Sequence, residues 1–435
     1  MKKIIMAVCI LLTVIGLCSC SFTADPSAIP AVATTQAGYN YQNAAEKLMT
    51  ASGLSVTEKF LESLGEETTA RLVSAVDSGT FTDKSWLEIA GYSRCVVADI
   101  LSGKVNTDNI KDFGFNGKSS FSVAFAGDIL FDKDFRPMVH ANEKGGVLKC
   151  IDEKVINYLN SCDVFLINNE FTIGERGEPL AGKTWTFQVE PDKIQLLKDL
   201  GADIVSLANN HIYDYGEVGF FDTITNLKKA GMPYIGAGNN IAEAKKPYYF
   251  IVNGIKIGFV AASCAEKTTS FNPVATADSH GIMGTYDSTA FVDEIKRADA
   301  ECDILVAYVH WGTENTTVLD EQQKTLAREY IDAGVDAVIG GHTHCLQGME
   351  FYKGVPIVYS IGNFWFNSKT LDSCVITLEI GADAEADIRI MPLKQENCET
   401  RLLVGDDARK LFDRVEGFEP QGVSIDDSGL ITPAA

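Results

Sequence analysis

Residues 336–348 read DAVIGGHTHCLQG, an apolar run that ends in two glycines and then in two histidines, His342 and His344, two positions apart. The whole chain holds 6 histidines in 435 residues, so this pair is a strong local concentration of imidazole. A short β-branched run closed by glycine is the pattern of a buried strand entering a turn. Gly340 and Gly341 let the backbone turn sharply there, and both histidines are expected to face inward to one centre.

The same texture recurs on both sides. SVAFAGD (122–128), DVFLINNE (163–170), ADIVSLANNH (202–211), IKIGFVAAS (255–263), DILVAYVHWG (303–312) and VPIVYSIGNF (355–364) are short apolar runs that end in polar residues or glycine. Between them, segments 152–161, 191–201, 220–231, 291–301 and 320–334 have helical periodicity, and three stop at Gly201, Gly231 and Gly334. Buried strands with helical crossovers predict an α/β domain. CVITLEI (374–380) and ADIRIMPLK (386–394) follow one another without a helix and are expected to pair antiparallel, before a short helix at 409–418 and a polar tail.

The polar residues gather at the ends of these runs: Asp128; Asn168 and Glu170; Asn209, Asn210 and His211; His310 and Glu314; His342 and His344. In α/β sheets the carboxyl ends of the strands face a common crevice where ligands bind. Carboxylate, amide oxygen and neutral imidazole are the donors a hard-to-borderline divalent metal takes. A lone histidine on a loop is usually a surface residue, but four of the six at strand ends predict a metal site.

Asp128, Asn168-x-Glu170, Ala208-Asn209-Asn210-His211, His310-Trp311-Gly312-x-Glu314, Gly341-His342-x-His344 and Gly362-Asn363-Phe364 resemble, in order and character, the capsule-synthesis CapA family of poly-γ-glutamate biosynthesis, itself similar to calcineurin-like metallophosphoesterases. The resemblance spans roughly residues 120 to 395. It implies a four-layer α/β/β/α metallophosphatase-like sandwich holding one or two divalent ions of manganese, zinc or iron. By position it implies Asp128 and His344 on one metal, Asn210, His310 and His342 on a second, and Glu170 between them. His211, Asp128 and Glu170 would be catalytic, with His211 protonating a leaving group, and Asn168, Asn209, Trp311, Glu314 and Asn363 would meet substrate. Two cations about 4 Å apart clamp the oxygens of the group attacked. The implied substrate and partners are poly-γ-glutamate or a related cell-surface polymer and a capsule synthesis complex.

One position departs from the parent pattern. Its Asp-x-His motif calls for histidine at 130, where this chain has Leu130. Three outcomes stay open: a mononuclear enzyme, a dinuclear site completed by a residue such as Glu314, or a polymer-binding protein without turnover. Asp132 and Asp214 are read as helix-start or loop carboxylates, and GAGNN (236–240) as a turn rather than a phosphate loop. Trp311, and Trp365 with Phe364 and Phe366, are candidates to line a cleft or to fill the core. The loop 270–287, with His280, is a candidate rim. No Gly-x-Ser-x-Gly with triad partners supports serine-hydrolase chemistry.

The chain opens MKKIIMAVCILLTVIGLCSCS, a basic start and an apolar stretch shorter than the roughly 20 residues a bilayer span needs. Residues 1–19 read as a signal peptide, and Leu17-Cys18-Ser19-Cys20 resembles a lipobox, which makes Cys20 a lipidation site and residues 20–38 a flexible Pro/Ala/Thr tether. The expected location is extracytoplasmic, attached to the cell membrane through the lipid anchor only. Residues 39–117 read as a helical subdomain, 118–398 as the CapA-like domain and 399–435 as a C-terminal helix and tail. The formal charge of −22, or −24 once Lys2 and Lys3 leave with the signal, argues against nucleic acid as a partner. Eight cysteines remain beyond the signal region, without CxxC spacing; buried thiols are favoured over a disulfide framework, with Cys150 and Cys162 the first pair to examine.

Overall fold

Two β-sheets lie face to face in the computed structural model, which describes residues 39–265 and 271–434. The leader, Cys20 and the tether lie outside the described residues. The first sheet has seven strands in the order Ile110–Asp112, Tyr248–Val252, Ile255–Ser263, Ile304–His310, Ala337–Gly341, Val355–Val358 and Met349–Tyr352. At the heart of the second run Leu371–Gly381, Ser120–Ile129, Val164–Asn169 and Ile204–Ser206, continued on one side by Ala386–Glu396.

Side-chain alternation along the strands builds the layers. Phe121, Val123 and Phe125 pack against Phe250, Phe259, Val306 and Ile339 of the other sheet. Ala124 and Ala126 turn the opposite way, toward Val155, Leu159, Phe220 and Leu227 on the helices Glu153–Ser161 and Gly216–Ala230. Across the molecule, Leu305, Ala307 and Val338 meet Phe291, Ile295, Leu326 and Tyr330 of Thr289–Asp299 and Glu321–Asp332. Each sheet is therefore buried on both faces, and the result is the expected α/β/β/α sandwich. Leu371–Gly381 and Ala386–Glu396 pair antiparallel, as the missing helix between them requires.

The helical segment precedes the sandwich. Thr57 caps Glu58–Leu64 through its hydroxyl, Gly65 separates that helix from Glu66–Asp77, and Gly91 ends Lys84–Ala90 ahead of Arg94–Ser102. Leu48, Leu61, Leu72 and Trp86 are among their buried apolar residues. The last helix, Arg94–Ser102, is pinned to the first sheet by a buried ion pair, Lys256 Nζ to Asp99 Oδ2 at 2.6 Å.

Two local expectations are corrected. The helical subdomain expected over 39–117 gives way at Ile110–Asp112, which pairs in parallel with residues 249–251 and fills an open sheet edge. The polar tail forms two strands, Val423–Ile425 and Leu430–Pro433, on the edge of the second sheet, because Val423, Ile425 and Ile431 have apolar surface to bury there. The thiol expectation holds: among the described residues all eight cysteines are free, Cys150 and Cys162 included.

Candidate metal centre

Strand register delivers the polar residues to one place. Asp128 is the register partner of Asn168 on one side and of Asn363 on the other, while His310 is level with Gly341. Asp128, Glu170, Asn210, His211, His310, His342 and His344 are all buried. Among the described residues two sets of side chains come close enough to hold an ion: Asp128, Glu170 and His344, and Glu170, His310 and His342, each with donor atoms within 4.8 Å of one another. Glu170 belongs to both. Its Oε1 is buried without a hydrogen-bond partner, 3.8 Å from His310 Nε2 and 3.8 Å from His211 Nε2. A buried carboxylate oxygen left unpartnered between imidazoles fits a cation.

These candidate donors are held from behind by amides. Asn168 Nδ2 donates to Asp128 Oδ1 at 2.7 Å and to Glu170 Oε2 at 3.3 Å. Asn209 Nδ2 donates to Asn168 Oδ1 at 3.0 Å, and its own oxygen accepts from the His211 backbone. Asn210 Oδ1 lies 2.8 Å from His310 Nε2, which lies 3.0 Å from His342 Nδ1. His344 Nδ1 stands 3.0 Å from Asp128 Oδ2 and 2.8 Å from Asn363 Oδ1.

Charge and burial compete at each group. Burial, then the charge of Asp128, push the Glu170 carboxyl well above its ordinary value. Burial would also raise Asp128, but the hydrogen bond and charge of His344, then His310, hold it low. Burial pulls His310 down to about 3 and His342 well below the usual histidine range. His344 is also pulled down by burial, yet its contact with Asp128 wins and leaves it raised. Opposed shifts packed this closely are the pattern of a candidate functional site.

The glycines act differently from expectation. Gly340 and Gly341 are the end of a strand, Ala337–Gly341, and the turn is made by His342 and His344 themselves, at φ of 92° and 59°. Such a backbone costs about 1–3 kcal/mol per residue. What the glycines supply is room: a Cβ on Gly340 would stand 2.0 Å from Tyr359 O, and one on Gly341 would crowd the Tyr308 hydroxyl at 3.2 Å and Asp128 Oδ1 at 3.4 Å.

Other assignments change with burial. Trp311 faces the helix-side core, where its indole donates to Tyr359 O at 2.9 Å and stacks with Tyr330; it does not line a cleft. Trp365 is likewise core, donating to Cys398 O, while Phe366 stacks on His344 at 4.7 Å. Asn168, Asn209 and Asn363 are fully buried and engaged with the ligand set rather than open to substrate. Glu314 is exposed, with its charge felt at Glu170 and His344. Leu130, where a third imidazole was sought, packs in the apolar cluster with Phe131 and Trp365 and offers no donor. His280 rests on Tyr213 and Phe221. Asp132 is a loop carboxylate, accepting from Gln188 N and Asp134 N.

Asp214 is not a simple helix-start residue. Its Oδ2 lies 2.7 Å from His211 Nδ1 and accepts from Phe187 N at 2.7 Å, and its Oδ1 pairs with Lys183 Nζ at 2.8 Å. Lys183 also donates to the Asn210 carbonyl. Neither Lys183 nor Phe187, whose ring lies 4.3 Å from that of His211, carries a sequence signal, since both sit in an irregular loop outside every strand-end motif.

The model of the bacterial capsule synthesis protein family PGA_cap matches residues 122–368. Similar proteins include the "PGA biosynthesis protein CapA" of Bacillus subtilis (strain 168), 27% identical over 301 residues that cover 68% of this chain and 76% of that one. The "Capsule biosynthesis protein CapA" of Bacillus anthracis is 28% identical, covering 62% and 67%. Solved structures give distant likenesses: a hypothetical protein from Thermus thermophilus, with TM-score 0.41 at 16% identity, covers 64% of this chain and 100% of that one. The 5'-nucleotidase from Candida albicans has TM-score 0.35 at 10% identity, covering 65% and 53%. With more than half of its length matched, and the strand-end residues assembled at one centre, this chain belongs to the bacterial capsule synthesis family PGA_cap.

Proposed function

We propose that this protein is a metal-dependent hydrolase or transferase acting on poly-γ-glutamate or a related cell-surface polymer, held outside the cytoplasmic membrane by a lipid on Cys20 and working within a capsule assembly. The observation that carries the reading is Glu170, common to two donor groups and left with an unpartnered oxygen. Asp128 and His344 would hold a divalent ion on one side of it, and His310, His342 and Asn210 another on the other side. Such ions, manganese, zinc or iron, supply Lewis-acid polarisation of the attacked group and offset the charge that develops on it. They also give an acidic protein a local attraction for a polyanion.

The chain's own residues supply the rest. His211 directs Nε2 to the Glu170 side of the centre while Nδ1 is held by Asp214, so proton traffic is confined to Nε2. That nitrogen is the general acid for the leaving group. Asn168 and Asn209 keep the carboxylates and the His211 loop in register.

A second reading is favoured by one observation. Leu130 removes a nitrogen donor from the Asp128 side, which suits a protein that grips polymer without turnover. One experiment separates the two. Purified protein with manganese or zinc is assayed on γ-glutamyl polymer beside His211→Ala. The enzyme reading expects cleavage or transfer, reduced about 10²–10⁴-fold in the variant, with polymer binding intact. Polymer bound equally by both proteins, with no turnover under any metal, would establish the non-catalytic reading instead.

A further inference from the structure

Lys183 lies outside every motif described above, yet its side chain is largely enclosed beside the centre. Its side chain is 8% exposed and that of its partner Asp214 is fully buried. The loop that carries it is tied down at several points: Leu180 N donates to Asp214 O at 2.9 Å, Phe187 N to Asp214 Oδ2 and Lys183 Nζ to the Asn210 carbonyl, while Lys183 Nζ forms an ion pair with Asp214 Oδ1 at 2.8 Å. Asp214 thus receives a lysine on one oxygen and an imidazole on the other. The lysine simultaneously grips the peptide that joins Asn210 to His211.

We propose that Lys183 is a positioning residue that fixes the tautomer and orientation of His211 through Asp214, forming a Lys183–Asp214–His211 relay. The inference rests on the functional reading above for the use of His211, but not for the relay itself. Asp214 as a carboxylate only accepts, so the Nδ1 beside it carries the proton and Nε2 is left to face the centre. Asp214 Oδ2 is shared with Phe187 N, and an unbraced carboxylate could rotate to serve that donor alone. Lys183 on the other oxygen blocks the rotation. The Asn210 carbonyl contact adds a second brace, since the His211 backbone cannot shift without breaking it. Phe187 closes the face of the ring. The geometry is a hydrogen-bonded orienter with its own counter-charge, the arrangement by which metal-site and catalytic imidazoles are generally aligned.

The test uses the full-length chain with isotope-labelled histidine, metal-free and with added zinc. Ring-nitrogen correlation spectra assign His211 by its loss in His211→Gln. In the wild type His211 is expected as the Nδ1–H tautomer. In Lys183→Met a mixture with the Nε2–H form is expected, with kcat on γ-glutamyl polymer down about tenfold or more and KM within about twofold, and with Lys183→Arg recovering the Nδ1–H form. Should Lys183→Met not fold, Lys183→Gln keeps a donor for the Asn210 carbonyl without the charge and is read in the same way. An unchanged tautomer in the folded, charge-free variant overturns the proposal, whatever the activity. A lost tautomer in a protein that cleaves nothing upholds the relay while refuting the enzymatic reading.

Discussion

His310 Nε2 stands 3.0 Å from His342 Nδ1, and both rings are buried among Asp128, Glu170 and Asn210. Two imidazoles this close cannot both be charged, and burial drives each toward the neutral form that a metal takes. In the unfolded chain a histidine gains its proton near 6.5, whereas folded His310 resists until about 3. The unfolded state therefore binds more protons across that window, and metal-free protein should lose stability as pH falls from about 6.5 toward 3. His344, raised, has the opposite sign: its contribution is present below 6.5 and lost as pH rises through its folded value. Urea unfolding of metal-free protein between pH 7 and pH 4 measures the acid limb, which should flatten in His342→Asn. An equally steep limb in that variant would count against the assignment.

Metal uptake should release protons. Glu170 and His344 are both raised, which favours their protonated forms in the metal-free centre, and a cation would displace those protons. Calorimetric titration with zinc at neutral pH, in buffers of different ionisation enthalpy, should show heats that vary with the buffer. Identical heats would mean that ions bind elsewhere.

Glu170 joins the two donor groups, and the variants should sort accordingly. Glu170→Gln should weaken all metal binding, while His344→Ala and His342→Ala each weaken one side. The loss per ligand should reach about 100-fold or more, since outer partners alone account for about 10–100-fold. Metal content after dialysis measures this. Equal losses in all three would point to a single shared ion.

Backbone approach limits what position 127 can be. A Cβ on Gly127 would stand 1.8 Å from the Gly362 carbonyl, the neighbour that accepts from Asp128 N at 3.3 Å. Gly127→Ala should therefore part the strands carrying Asp128 and Asn363, at a cost of about 3 kcal/mol or more, and lower metal affinity with it. Thermal unfolding with and without metal tests both halves. A variant with native stability would show that the strands can part freely.

Asp99 is the buried counter-charge of Lys256. Asp99→Ala leaves that ammonium enclosed against the Tyr249 ring and should cost about 3–5 kcal/mol, whereas the double change Asp99→Ala with Lys256→Met should recover much of the loss. Denaturant titration of the three proteins gives the comparison.

The strand-end residues were legible because their chemistry is written locally. A β-branched run closed by Asp128, Glu170, His310 or GGHTH shows both the strand and the donor at its end, and strand ends of an α/β sheet share a crevice. The edge strand Ile110–Asp112 and the strands of the tail were not legible. Three or four residues carry no period of their own, and their partners lie far away in sequence. Trp311 and Asn209 were misread for a related reason: a residue beside a ligand is adjacent in sequence, but strand alternation or burial turns it away from the opening.

By itself the sequence determined the α/β alternation, the family resemblance and the donors of the centre, since each depends on the periodicity or on the kind of side chain at a given place. Tertiary structure alone decided what those donors do to one another. Only in the folded chain does Glu170 fall between two histidine groups, Leu130 turn into an apolar cluster, and the glycines before His342 serve as clearance while the histidines take the turn. Lys183 is the clearest case. Nothing in its loop marks it, and its partnership with Asp214 arises because a packed interior brings an otherwise ordinary lysine to a buried carboxylate.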